Sequence, residues 1–110
     1  MVFPRYVRDH EGILWELSSD AWAHITVRHP EIVGLLEKIE ETLRDPDEVR
    51  RSRKRHDTVL YYKRFEALQI GTLTVKSKYV CAVADHSEHE VKTAYLTPRM
   101  KQGALLWRKG

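Results

Sequence analysis

Cysteine is almost absent from this sequence: Cys81 is the only one in 110 residues, which excludes an internal disulfide. Its neighbours Tyr79, Val80, Ala82 and Val83 predict a buried, unreactive thiol. No apolar run approaches the roughly 20 residues that a membrane-spanning helix requires. The opening MVFPRYVRDH lacks the apolar stretch of a secretory signal. Together these absences predict a cytoplasmic protein in a reducing compartment, with no membrane partner. Glycine and proline are scarce, at 5 and 4 residues, and no linker, repeat or low-complexity tract breaks the chain.

What is present fits one globular domain over residues 1–110, with 42% hydrophobic and 32% charged residues. The net charge of +3 hides an asymmetry. Residues 1–47 carry 5 Lys/Arg against 10 Asp/Glu, whereas residues 48–110 carry 14 against 6. The second half is therefore a basic pole suited to polyanions.

The pattern of elements predicts an α+β fold, with a helical part at about 18–45 and a sheet part at about 48–107. GILWEL (12–17) reads as a short strand or arm. Ser18 or Ser19 is placed to cap a short helix from about Asp20 to His29. Pro30 then opens a second helix at a position where its missing N–H costs nothing. Along it, Ile32, Leu35, Leu36, Ile39 and Leu43 form an apolar stripe that Asp45-Pro46-Asp47 ends. Strands are expected at Glu48–Arg53, Thr58–Phe65, Leu68–Lys76, Tyr79–Ala84 and Glu90–Thr97. The tail, with Leu105, Leu106 and Trp107, supplies a last edge or a cover, or faces a second copy; the oligomeric state stays open. Short connections make the sheet antiparallel. The expectation is two N-terminal helices packed on a four- to five-stranded antiparallel sheet.

Four stretches could carry chemistry. In WAHITVRHPE (22–31), His24 and Arg28 are four residues apart and share a helix face, with His29 one residue further round. An imidazole beside a permanent cation suits phosphodiester chemistry, where one moves protons and the other clamps a phosphate oxygen; the alternative is a capping histidine plus an exposed arginine, common at helix ends. In RRSRKRH (50–56), Arg51, Arg53, Lys54 and Arg55 offer salt-dependent affinity for nucleic acid, or simply a solvated hairpin. Tyr61 and Tyr62 alternate, so only one of them can stack on a base. In VKTAYLT (91–97), strict alternation puts Val91, Thr93, Tyr95 and Thr97 on one face and Lys92, Ala94 and Leu96 on the other. Either the hydroxyls of Thr93 and Tyr95 face a ligand, or the two residues are there simply as good strand formers. DHSEHE (85–90) is rich in metal donors, but no second cluster closes a coordination shell. A polar turn accounts for it better, and neither metal nor cofactor is expected.

These motifs, in this order, resemble a known family. W-x-H-I-x-x-R-H-P-E, then TL-x-x-P-x-x-V, LYYK, TAYLT and KQG-x-x-x-W resemble small prokaryotic and phage proteins of the barnase–EndoU–colicin–RelE-like (BECR) nuclease superfamily. The likeness runs from Trp22 to Trp107. It implies RNA bound across an exposed sheet face and cut without metal, by attack of the ribose 2′-hydroxyl to leave a 2′,3′-cyclic phosphate. Carried over by motif, His24 is the general acid or base and Arg28 the phosphate clamp. Thr93 and Tyr95 line the site, and Lys63 adds charge. A toxin-like endoribonuclease held by a neutralising partner protein is one form such a protein takes. Family members often have a valine-rich strand ending in lysine before the turn that leads to TAY. Here YVCAVADH ends in Asp85 and His86, so Lys76 or Lys92 would have to supply that charge. The alternatives are a non-catalytic RNA-binding module on the same fold and, less directly supported, a protein–protein adaptor whose acidic first helices dock a basic partner.

Overall fold

The computed structural model describes residues 2–100 and 103–110. Lys101 and Gln102 of the KQG motif lie outside the described residues. In chain order the elements are β1 (Arg5–Arg8), β2 (Leu14–Leu17), α1 (Ser19–Arg28), a 3-10 turn (Pro30–Ile32), α2 (Leu36–Arg44), β3 (Glu48–Arg51), β4 (Thr58–Ile70), β5 (Leu73–Asp85), β6 (Glu90–Thr97) and β7 (Ala104–Arg108). The α+β class holds, but the helices follow two strands, and the sheet has seven strands in the order β1-β2-β6-β5-β4-β3-β7. It is mixed. β2 meets β6 in parallel through Glu16 and Glu90, because two helices and three strands carry the chain round before it returns beside β2.

Helix α1 starts where Ser18 Oγ accepts from the Ala21 amide at 3.0 Å. Asp20 in its first turn and Arg28 in its last complement the helix dipole. Pro30 ends it by forcing the preceding residue out of the helical region, and His29 lies at φ −131°, ψ 74°. The continuous second helix expected from Pro30 onward is two pieces. Val33 and Gly34, both poor helix formers, separate the 3-10 turn from α2. The apolar stripe survives the break: Ile32, Leu35, Leu36, Ile39 and Leu43 are all buried.

The sheet also departs from expectation at its middle. One strand over Leu68–Lys76 does not exist, because Gly71, at φ +60°, turns the chain there. Ile70 and Leu73 close that two-residue hairpin, which joins two 13-residue strands. The larger core lies between the helices and one sheet face, built on Trp15, Ile25, Ile32, Ile39, Leu43, Tyr61, Leu68, Val80 and Ala82. A smaller core of Leu60, Tyr62 and Cys81 sits on the other face, packed by Tyr79, Val83, Tyr95 and Met100. Met100, from the segment that leaves β6, packs on this second core. The central strip expected to be open for RNA is therefore covered, with Leu60 at 4%, Tyr62 at 1% and Cys81 at 0% exposure. Burial pushes the Cys81 thiol up to about 11, which keeps it protonated and inert.

The turn after β1 is tied to the sheet by a buried polar network. Asp9 Oδ2 accepts from Tyr61 Oη–H at 2.5 Å and from Trp15 Nε1–H at 3.4 Å. Its Oδ1 accepts from the amides of Glu11 and Ile13, each at 2.9 Å. The His10 ring packs at a tilt against Trp107 of β7, ring centroids 4.3 Å apart, so this turn reaches the opposite edge of the sheet. At that edge Glu48 joins β3 to β7 by accepting from Arg50 and Arg108. Burial opposes its charge, but these two guanidinium groups outweigh burial and hold the carboxyl below its ordinary value.

The entry into β7 has one backbone requirement. Gly103 sits at φ +89°, and a Cβ there would come 2.6 Å from the Arg51 carbonyl oxygen. Gly103→Ala should destabilise the protein by about 1–3 kcal/mol, seen as a lower midpoint in urea. An unchanged midpoint would mean that the β3–β7 pairing tolerates the added methyl.

Candidate active-site cleft

The C-terminal half of α1 lies beside β6, and between them opens a cleft of about 750 Å³. Its lining is His24, Arg28, His29, Lys92, Thr93, Tyr95, Leu96, Thr97 and Pro98. Two motifs more than 60 residues apart, HITVRHP and VKTAYLT, thus face one another.

On the helix side, His24 and Arg28 are both exposed and stacked one turn apart. Neither makes a hydrogen bond, ion pair or ring contact among the described residues, so both are free to meet a ligand. His29 enters the cleft because Pro30 breaks the helix at that residue. Its ring centroid lies 5.6 Å from that of Tyr95, and its Nδ1 lies 3.8 Å from Glu31 Oε2. The sequence marked His29 only as one residue off the shared face; the His-Pro pair was the signal that it would turn inward.

On the strand side, strict alternation fails at one residue. Val83 pairs with Thr93 but Ala84 pairs with Val91, which leaves Lys92 unmatched in a β-bulge. The bulge resets the faces. Val91 and Ala94 both go to the larger core, while Thr93 and Tyr95 stay on the cleft side and Lys92 is swung into the lining. Lys92 Nζ is anchored by Glu88 at 2.6 Å and Glu90 at 3.1 Å, and these carboxylates raise its pKa, so it stays cationic. Of the two lysines that could supply the charge absent at Asp85, Lys92 lines the cleft and Lys76 does not. Asp85 instead accepts from the Ser87 amide and hydroxyl and shapes the β5–β6 turn.

Tyr95 takes a different place from the one expected. Burial, followed by its contacts with Cys81 and Tyr62, raises its pKa strongly. Its hydroxyl is bonded within the second core, so the ring walls the cleft while the hydroxyl transfers no proton at working pH. Lys63 is outside the cleft: it donates to Asp45 Oδ2 at 2.9 Å at the end of α2 and lies near the Phe65 ring. Tyr61, expected among the RNA-binding residues, is 1% exposed with its hydroxyl on Asp9, leaving no face for a base. Tyr62 is equally buried.

Arg51, Arg53, Lys54 and Arg55 are exposed at the β3–β4 connection and form no ion pair among the described residues. Lys76 is exposed on the β4–β5 hairpin, away from the cleft. A three-residue donor group that the sequence did not single out is Asp9, His10 and Glu11, whose ligand atoms approach within 4.8 Å. Both Asp9 oxygens already accept hydrogen bonds there, and the carboxylate serves the fold. No helix among the described residues is long and apolar enough to cross a membrane.

The chemistry of the cleft is that of a polyanion site with proton-transfer groups. Two imidazoles, one free guanidinium, one fixed ammonium and a threonine hydroxyl converge on a space large enough for a nucleotide unit. Set against protein-family models, curated proteins and solved structures, the chain shows no match to any.

Proposed function

We propose that this protein is a metal-independent endoribonuclease that cuts RNA by attack of the 2′-hydroxyl on the adjacent phosphorus. One observation carries this reading: His24, Arg28, Thr93 and Lys92, from two distant motifs, line the same cleft. The reaction forms the O2′–P bond, breaks the P–O5′ bond, and leaves a 2′,3′-cyclic phosphate and a 5′-hydroxyl. It needs a proton removed at O2′, a proton delivered to O5′, and cations for the charge that builds on the phosphorane. His24 serves one of the two proton transfers. Arg28 holds the non-bridging oxygens through paired N–H donors, and Lys92 adds a fixed positive charge. Thr93 offers a hydroxyl to a phosphate oxygen or the ribose. The exposed arginines and lysine at 51–55 add sequence-independent attraction for the rest of the strand.

That same run supports a second reading, an RNA-binding module without catalysis. A DNA oligonucleotide carrying one ribose separates the two. The nuclease cuts only at the phosphate 3′ to that ribose and leaves the all-deoxy strand intact. Cleavage of the all-deoxy strand would refute 2′-hydroxyl attack. Binding that weakens steeply with salt, with both strands intact, would favour the binding module.

A further inference from the structure

We propose that His29 is the general base of this cleft and that Glu31 is its positioning residue. The inference rests on the ribonuclease reading and assigns the proton transfer that reading leaves open. Cleavage needs two proton-transfer groups, and the cleft lining contains two imidazoles, His24 and His29. His24 makes no ion pair among the described residues, whereas His29 Nδ1 faces Glu31 Oε2 at 3.8 Å. A carboxylate behind one ring nitrogen fixes the tautomer that leaves the other nitrogen free to accept. It also stabilises the imidazolium that forms when the ring takes a proton. Stabilising the imidazolium strengthens the ring as a base and makes it a weaker acid, which favours the base role for His29. The separation is longer than a hydrogen bond, as unliganded sites commonly are, and it shortens as the ring becomes charged.

The groups around His29 agree with this division. Glu31 comes from the 3-10 turn, Tyr95 from β6 lies against the ring, and Arg28, His24 and Lys92 complete the lining. The Tyr95 hydroxyl is committed to the second core, so its ring holds the imidazole without competing for the proton. His29 then takes the 2′-hydroxyl proton as O2′ bonds to phosphorus. His24, in its protonated form, gives a proton to O5′ as the P–O5′ bond breaks. Each turnover leaves the two imidazoles with exchanged protonation, which solvent restores.

The test uses two substrates that differ at one atom: a normal RNA and one with sulfur in place of the bridging 5′ oxygen. A thiolate leaves without being protonated, so the sulfur substrate needs a base but no acid. The expected result is that His24→Ala, slow on the oxygen substrate, recovers on the sulfur substrate. His29→Ala should stay roughly 10²–10⁴-fold below wild type on both. Glu31→Gln should lose less, in kcat with KM nearly unchanged, and Glu31→Asp should recover part of that loss, a pattern that a packing role would not produce. His29 is a half-exposed helix-end residue, and His29→Asn with an unchanged unfolding midpoint guards against a folding defect. Recovery of His29→Ala on sulfur would make His29 the acid and overturn the assignment. Near-wild-type rates for His29→Ala on both substrates would remove it from the chemistry. Wild type that cuts neither substrate would overturn the ribonuclease reading itself, and this assignment with it.

Discussion

His24→Ala should cleave RNA roughly 10²–10⁴-fold more slowly than wild type at neutral pH, with its unfolding midpoint unchanged. The reasoning is local. His24 is exposed on the outer turn of α1 and makes no contact that the fold depends on among the described residues. Buried Ile25, next in the chain, anchors that turn independently. Truncating the imidazole therefore removes a proton-transfer group without opening a cavity. The loss should lie in kcat with KM nearly unchanged, because Arg28 and Lys92 still bind the phosphate. If KM rises and kcat stays, His24 contributes binding alone and the proton-transfer role fails.

The second large effect is on stability, far from the cleft. Asp9→Ala should destabilise the protein by about 3–5 kcal/mol, a fall in Tm of roughly 10–20 °C for a domain of this size. Its carboxylate is fully buried and takes hydrogen bonds from four donors: Tyr61 Oη–H, Trp15 Nε1–H and two backbone amides. Removing it strands donors in a site that water does not easily reach, and each unsatisfied buried donor costs about 1–3 kcal/mol. Trp15 Nε1–H retains a second partner in the Tyr61 hydroxyl at 3.1 Å, which keeps the total below the sum of four losses. Tyr61→Phe should cost less, because Asp9 keeps its two amides and the indole. A Tm within 2 °C of wild type for Asp9→Ala would show that this network is not what holds the β1–β2 turn to the sheet.

These two residues mark how far the sequence could be read. His24 and Arg28 were visible because helical spacing alone puts residues four apart on one face. Thr93 and Tyr95 were visible because they lie two apart on a strand rich in β-formers. The meeting of the two segments was not encoded in either period; it entered only through the resemblance. Lys63 shows the opposite failure. Its place in YYKR gives the face of the strand but not the neighbour, and that neighbour is Asp45 at the end of α2. The bulge at Lys92 left no mark, since an extra residue in a ladder is defined by the partner strand. Asp9 was illegible for the same reason, with its partner Tyr61 52 residues away. Strand β1, with its four residues RYVR, is too short and too charged to show an alternation. The unexpected seventh strand and the parallel β2–β6 contact follow from that omission, because β1 and β2 extend the sheet beyond the edge that β6 would otherwise form.

Under the proposed function, the covered sheet face would send RNA through the cleft rather than across the sheet. With Leu60, Tyr62 and Cys81 shielded, a strand cannot lie flat across β4 and β5. It would enter between the end of α1 and β6, where His24, Arg28 and Lys92 are exposed.

The most direct measurement is the chemistry of the cut ends. Purified protein is incubated with a short labelled RNA in excess EDTA, and the products are analysed for terminal phosphate structure. The account predicts fragments ending in a 2′,3′-cyclic phosphate, with 5′-hydroxyl partners, formed at the same rate with and without the chelator. Intact RNA, or products ending in a 5′-phosphate, would contradict it.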